Sequence, residues 1–343
     1  MKKKLHLTCF IISVICAFIF FSAVIYPFIY IRCPGVKNNI VFYSNHLNHS
    51  LRHIVLQSIK SAKLSVILHT YALSDEAVLS MLLKKNAELK TCTILSDSKS
   101  IPSSLKYLKP LLQWQGVESS GLMHEKILIV DNTTVFLGTA NMTYESLSMH
   151  DNVIVGFYSP PLAAYLQEYT QAMDQKRKNK NRSHQTFSIQ GQELQLWMLP
   201  YQGNAPTETI RDKIENAKNS LSIAMFTLTH PELIQAIIHT HKKGVKVQIF
   251  LDHTSAKGAS AKAVKTLLEA NVPLYFSQGK QLLHHKMMLV DDTCFILGSA
   301  NWTKSAFKKN HDFYFLLSPL CASQVKTIKK IFLHIAQEAS KAL

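Results

Sequence analysis

The sequence predicts an α/β protein: two copies of one sandwich unit, each a mixed sheet flanked by helices, behind a single N-terminal transmembrane or signal helix. Three observations carry this. The chain begins with three lysines and a long uncharged run, two distant stretches match at a constant offset, and apolar runs of strand length alternate with amphipathic helical patterns.

The N-terminal element comes first. "MKKK" precedes "LTCFIISVICAFIFFSAVIYPFIYI", residues 7–31, which carries no charge. A bilayer core of ~30 Å is crossed by about 20 apolar helical residues, and residues 7–26 supply them before Pro27. The run is long for a secretory signal and no small-x-small cleavage site stands out. It therefore reads as an uncleaved anchor, with a cleaved signal as the alternative. Lys2, Lys3 and Lys4 precede the span and only Arg32 and Lys37 follow closely, which places the body outside the cytoplasm, or secreted if the segment is cleaved.

Charge and cysteines bound the class of partner. With 38 Lys and Arg against 22 Asp and Glu the net charge is +16, a balance that suits nucleic acid, acidic headgroups or phosphate-bearing substrates. The six cysteines show no CxxC and no metal-ligand spacing, so they read as small buried hydrophobes, and no metal or other cofactor is expected. No zinc-finger, helix-turn-helix or stacked-aromatic pattern of a sequence-reading nucleic-acid binder is present.

The repeat organises the remainder. "SIKSAKLSVILHTYALSDEAVLSMLLKKN" (58–86) matches "KIENAKNSLSIAMFTLTHPELIQAIIHTH" (213–241) at an offset of 155: Ala62 with Ala217, Lys63 with Lys218, Tyr71 with Phe226, Leu73 with Leu228. Asp97 and Asp252 keep it. Beyond them the longer loop "PLYFSQGKQLL" raises the offset to 160; its aromatics either face acyl chains or pack within a strand. The expected boundaries are 1–32 for the anchor or signal, 38–173 for the first half, 174–190 for a basic linker around "DQKRKNKNRSHQ", and 191–343 for the second half.

The two copies end in one motif. "LMHEKILIVDNTTVFLGTANMT" (122–143) aligns with "LLHHKMMLVDDTCFILGSANWT" (282–303), giving His-x-Lys-x4-Asp followed by Gly-[Thr/Ser]-Ala-Asn-x-Thr. The paired residues are His124 and His284, Lys126 and Lys286, Asp131 and Asp291, Thr139 and Ser299, Asn141 and Asn301. In a strand, residues two apart share a face, so His284 and Lys286 point together and His285 points away. Asp131 and Asp291 lie seven residues after the His, on the other parity, in turn-like "VDNT" and "VDDT"; they read as structural. The carboxylates expected to serve the imidazoles are Asp151 in "SMHDNVIV" and Asp312 in "KNHDFYF". His46, His49, His184 and His253 read as loop or surface residues, and His150 and His311 as incidental or supporting.

The chemistry follows from these groups. A neutral imidazole can attack phosphorus and form a phosphohistidine, and a second, protonated one can serve the leaving oxygen, acid–base help worth roughly 10²–10⁴ in rate. Two lysines and two amides can hold the phosphoryl oxygens.

These motifs resemble the HKD motifs of the phospholipase D superfamily, over nearly all of residues 38–340. The resemblance implies two halves related by a pseudo-twofold with one active site between them, and metal-independent ping-pong phosphodiester chemistry. It also implies His124 as nucleophile and His284 as general acid and base, Lys126, Lys286, Asn141 and Asn301 holding phosphate, and no obligate dimer, since one chain has both motifs. Glu is frequent in that family where this chain has Asp151 and Asp312. A membrane phospholipid is the expected substrate. A nuclease acting on DNA or RNA is the main alternative, ahead of a cardiolipin synthase-type transferase or a phosphate-binding protein without turnover.

Overall fold

The computed structural model describes residues 11–14, 33–174, 183–278 and 281–342. The chain divides into two compact units, Met1–Cys33 and Pro34–Leu343. In the first, residues 11–14 are helical and exposed. The rest of the expected span lies outside the described residues, as does the orientation drawn from it. Among the described residues no helix is long and apolar enough to cross a membrane.

The larger unit holds two α/β halves with mixed sheets. The first half comprises β1 (Ile40–Ser44), α1 (Leu51–Ser61), β2 (Ser65–Thr70), α2 (Glu76–Glu88), β3 (Thr91–Asp97), β4 (Trp114–Val117), β5 (Ile127–Val130), β6 (Thr134–Gly138), α3 (Tyr144–Ser148), β7 (Val153–Tyr158) and α4 (Pro160–Asp174). The second comprises β8 (His184–Ile189), β9 (Gln192–Met198), α5 (Ala205–Glu215), β10 (Ser220–Met225), α6 (Pro231–Lys242), β11 (Lys246–Leu251), α7 (His253–Lys257), α8 (Ala261–Glu269), β12 (Leu274–Ser277), β13 (Lys286–Val290), β14 (Cys294–Gly298), α9 (Lys304–Lys308), β15 (Phe313–Ser318), α10 (Ala322–Gln337) and β16 (Ala339–Lys341).

The sheets share one topology. The first runs β1-β7-β6-β5-β2-β3-β4; the second runs β9-β15-β14-β13-β10-β11-β12 and adds β8 beyond β9 and β16 beyond β12. In each, the three strands joined through helices pair in parallel and the remaining pairs are antiparallel. Their central strands are apolar on both sides because both sides are covered. Met287 and Leu289 of β13 face a core shared with Ile127 and Ile129 of β5, Leu162 of α4 and Ile331 of α10. Met288 and Val290 face a second core with α5, α6 and α8. Across the shared core Phe157 meets Phe315 edge to face, ring centroids 5.4 Å apart.

Local chemistry fixes the ends. Ser50 caps α1 by accepting from His53 N, and Asp75 caps α2 by accepting from Ala77 N and Val78 N. Asp131 and Asn132 have φ of 52° and 58°, Asp291 and Asp292 of 49° and 57°, left-handed pairs inside the tight three-residue hairpin loops that join Val130 to Thr134 and Val290 to Cys294. Each Asp then reaches another strand: Asp131 accepts from the N–H groups of Lys63, Leu64 and Ser65, and Asp291 from those of Lys218, Asn219 and Ser220 (2.7, 2.7 and 2.8 Å). Although partial burial works the other way, these hydrogen bonds hold the Asp291 carboxyl below its ordinary pKa. Asp291→Ala should therefore cost about 1–3 kcal/mol of stability, read as a lower denaturant midpoint at unchanged m-value, while turnover per folded molecule persists.

One expectation is corrected and one open alternative is decided. The stretch 174–190 is not all linker: Asp174 ends α4, residues 175–182 lie outside the described residues, and His184–Ile189 form edge strand β8. Its Phe187 and Ile189 are buried in the shared core, an alternation masked by the basic run before it. The aromatics of "PLYFSQGKQLL" belong to β12, where Tyr275 stacks on Phe250 at 5.2 Å. Strand packing is the reading that holds for them.

Candidate active site

The two motif loops meet at the seam between the halves. Two isolated parallel bridges, Met123 with His311 and Leu283 with Asp151, are exchanged by the same offset of 160 that relates the motifs. Through them His124 N donates to His311 O (2.6 Å) and His284 N donates to Asp151 O (3.1 Å). Buried carboxylates steady both loops, Asp97 accepting from Met123 N and Asp252 from Leu283 N. Gly138 and Gly298 let the strands close up behind: a Cβ on Gly138 would lie 2.7 Å from Val153 O, and one on Gly298 would strike Phe313 O.

The seam swaps the supporting groups. His124 Nδ1 lies 2.8 Å from Asp312 Oδ1, in the other half, and His284 Nδ1 lies 3.1 Å from Asn152 Oδ1, also across the seam. Ser299 Oγ donates to Asp312 Oδ1 (2.6 Å), and Thr139 Oγ1 donates to Asn152 Oδ1 (2.7 Å). The Asn152 Nδ2 donates to Ser146 O (2.8 Å), which fixes its carbonyl toward the imidazole. Both acceptors accept, so each His carries its proton on Nδ1 and leaves a lone pair on Nε2.

This corrects the carboxylate expected from sequence. Matching "HD" with "HD" pairs Asp151 with Asp312 at an offset of 161, but every bridge and motif residue keeps 160. The partner of Asp312 is therefore Asn152. Asp151 turns to the opposite side, with its carboxylate 3.4 Å from His46 Nε2. One His thus has an anionic support and the other a neutral one.

The remaining residues surround this pair. Lys126 Nζ donates to His124 O (2.6 Å) and Lys286 Nζ to His284 O (2.8 Å). Tyr71 packs edge-on to His124 (5.5 Å) and Phe226 tilts against His284 (5.2 Å), with Lys286 Nζ 4.9 Å from the Phe226 ring centre. These aromatics marked the repeat in sequence, and that matched pair was the available sign of their place in the site. Asn301 Oδ1 accepts from Thr227 N (3.2 Å), whereas Asn141 Oδ1 is buried without a partner among the described residues. Glu125 and His285 point away from the site. Glu125, buried with His69, binds His69 Nδ1 (2.7 Å) and accepts from Tyr169 Oη (2.7 Å), which is half-buried. His285, on the face of Met287 and Leu289, is fully buried.

Burial sets the electrostatics. It lowers the pKa of His284 well below the ordinary value, helped by Lys286, Lys126 and His124. Burial and Lys126 also lower His124, but Asp312 opposes them. Lys126 is pushed down to about 7 by burial, against the pull of Asp312 and Glu125, and Lys286 falls well below its ordinary value through burial and Lys126. Burial would raise Asp312, yet His124, Lys126 and Ser299 together hold it below the usual carboxylate range. A site this short of negative charge is completed by an anion, and a phosphodiester supplies one.

The family model described as "Cardiolipin synthase, PLD-like domain" matches residues 55–174 and 210–335, most of the chain and both motifs. The chain belongs to the phospholipase D superfamily. Among curated relatives of this phospholipase D-like chain, a "Mitochondrial cardiolipin hydrolase" from Xenopus tropicalis is 33% identical over 96 residues, 28% of this chain and 45% of that protein. A "Phospholipase D" from Rickettsia prowazekii (strain Madrid E) is 30% identical over 104 residues, 30% of this chain and 50% of that one. The chain thus spans about half the length of the curated relatives it matches. A solved phosphatidylserine synthase from Haemophilus influenzae Rd KW20 shares the fold, with a TM-score of 0.71 at 15% identity, over 91% of this chain and 89% of that one.

Proposed function

We propose that this protein is a phospholipase D-type phosphodiesterase that hydrolyses glycerophospholipid headgroups at a membrane through a phosphohistidine on His124. The observation that carries the reading is the crossed support of the two imidazoles, Asp312 on His124 and Asn152 on His284. Phosphorylation of Nε2 with a proton on Nδ1 makes the ring cationic, and only His124 has a carboxylate against that proton. His284 rests neutral and gains its second proton once the substrate phosphate offsets the nearby lysines.

The steps balance. His124 Nε2 attacks phosphorus, the bond from phosphorus to the headgroup oxygen breaks, and His284 Nε2–H protonates that oxygen. Water then attacks phosphorus, gives its proton to His284 Nε2 and breaks the P–N bond, releasing phosphatidic acid. Lys126, Lys286, Asn141 and Asn301 hold the phosphoryl oxygens while charge builds.

Lipid is favoured as substrate by exposed apolar residues beside the motif loops: Leu122 two residues before His124, and Met149 three before Asn152. The names of the curated relatives point the same way. The net charge of +16 favours the second reading, a nuclease. The deciding experiment incubates the protein with mixed anionic phospholipid vesicles and, separately, with single- and double-stranded nucleic acid. Free headgroup appearing with phosphatidic acid is the expected result; nicked nucleic acid with no lipid product rejects the lipid reading.

A further inference from the structure

A second cluster of ligand-type side chains lies at the seam, on the side of Asp151 away from the imidazole pair. It comprises His46, in the turn after β1; Asp151, just before β7; and Glu338, at the C-terminus of α10. One ligand atom from each lies within 4.8 Å of the other two. His46 Nε2 is 3.4 Å from Asp151 Oδ1. Bonds of ~2.1 Å at tetrahedral angles set ligand atoms about 3.4 Å apart, so this edge already has the spacing of a coordinated pair.

A second observation points independently to a missing partner. The His46 side chain is 6% exposed, and its Nε2 has no hydrogen-bond partner among the described residues. Buried ring nitrogens are ordinarily satisfied, and each that is not calls for an explanation. His285, fully buried with neither ring nitrogen partnered among the described residues, packs against His46 at 5.7 Å between ring centres. His334, one turn before Glu338, stacks on its other side at 6.0 Å. Asp151 is itself held: Gln281, with its amide turned to donate, reaches Asp151 Oδ1 (2.9 Å) and Met149 O (3.1 Å). Such support of a ligating carboxylate is usual around metal ions.

We propose that His46, Asp151 and Glu338 bind a divalent transition-metal ion that clasps the two halves together. One imidazole and two carboxylates suit Zn²⁺, with Mn²⁺ next, and leave a fourth position for water. The ion takes no part in phosphoryl transfer. His46 and Asp151 belong to the first half and Glu338 to the second, so it ties the last long helix to the loop whose backbone holds His284. A protonated His46 paired with Asp151, with no metal, is the competing account.

The test uses the full chain, stripped with chelator and titrated with Zn²⁺ alone, then with Mn²⁺ and Mg²⁺. Metal content, calorimetric affinity and thermal midpoint are read, none of which needs turnover, so failure of the lipid reading would not be mistaken for failure of this one. The wild type should retain one equivalent of Zn²⁺ and gain about 5 °C or more in midpoint at saturation. Glu338→Gln, at an exposed position, should keep the metal-free midpoint and weaken binding roughly tenfold or more; His46→Gln should weaken it roughly a hundredfold. Sub-stoichiometric retention by the wild type, or equal affinity in wild type and Glu338→Gln, overturns the site in favour of the ion pair or of adventitious binding elsewhere.

Discussion

His124→Ala should abolish turnover, with kcat falling at least roughly 10⁴-fold, because the atom that forms the covalent bond is gone. His284→Ala should lose a comparable factor on a natural phosphodiester but for a different reason, and the difference is measurable. With an aryl phosphodiester, whose leaving group needs no proton, His284→Ala should still form the His124 adduct in a stoichiometric burst and then stall, since the water that resolves the adduct has lost its base. His124→Ala should give no burst with either substrate. Acid-labile phosphate trapped on His284→Ala, and none on His124→Ala, is the expected outcome in a quench experiment. The reverse pattern would exchange the two roles. It would also show that the Asp312 carboxylate does not mark the nucleophile.

The sequence contained most of this site for a physical reason. Strand parity and a constant offset suffice to place His124 with Lys126 and His284 with Lys286, because both are local properties of a repeated strand. The turn roles of Asp131 and Asp291 were legible likewise, from tight hairpins. Which half supports which imidazole was not legible. That depends on the Met123–His311 and Leu283–Asp151 bridges, which join residues far apart in sequence, and no periodicity within one copy encodes them. The Asn152 position was recoverable in principle. Holding the offset at 160 past Asn141 and Asn301 puts Asn152 opposite Asp312, but the repeated "HD" letters offered a more conspicuous and false match. His46 lies in a turn, as its sequence predicts, but its side chain is buried. Its loop is polar, "NHLNHS", and only the arrival of α10 and His285 from the second half buries the ring.

Asp312→Asn tests the asymmetry itself. Asparagine can still accept from Ser299 Oγ and His124 Nδ1, as Asn152 does from Thr139 and His284, so the imidazole should keep its position and tautomer. What is lost is the negative charge facing a ring that turns cationic on phosphorylation. A fall in kcat of roughly 10²–10³ is expected, of the order that follows loss of one preorganised group facing charge that develops in the transition state. Two pH effects follow, with opposite consequences. His124 already lies below its ordinary pKa of about 6.5, and without Asp312 the protonated ring loses its counter-charge, so the pKa falls further. The acid limb of kcat/KM, which reports the neutral nucleophile in the free enzyme, should therefore move to lower pH. Lys126, at about 7 in the native site, also loses an anion that favours its charged form, so it falls too, and KM at neutral pH should rise. Acidification should restore part of that binding as Lys126 regains its proton, while the slow chemical step persists. A variant with kcat within fivefold of wild type and an unmoved acid limb would remove Asp312 from the chemistry. The crossed pairing would then be an architectural contact that holds the halves in register, and His124 and His284 would have to be told apart by some other group.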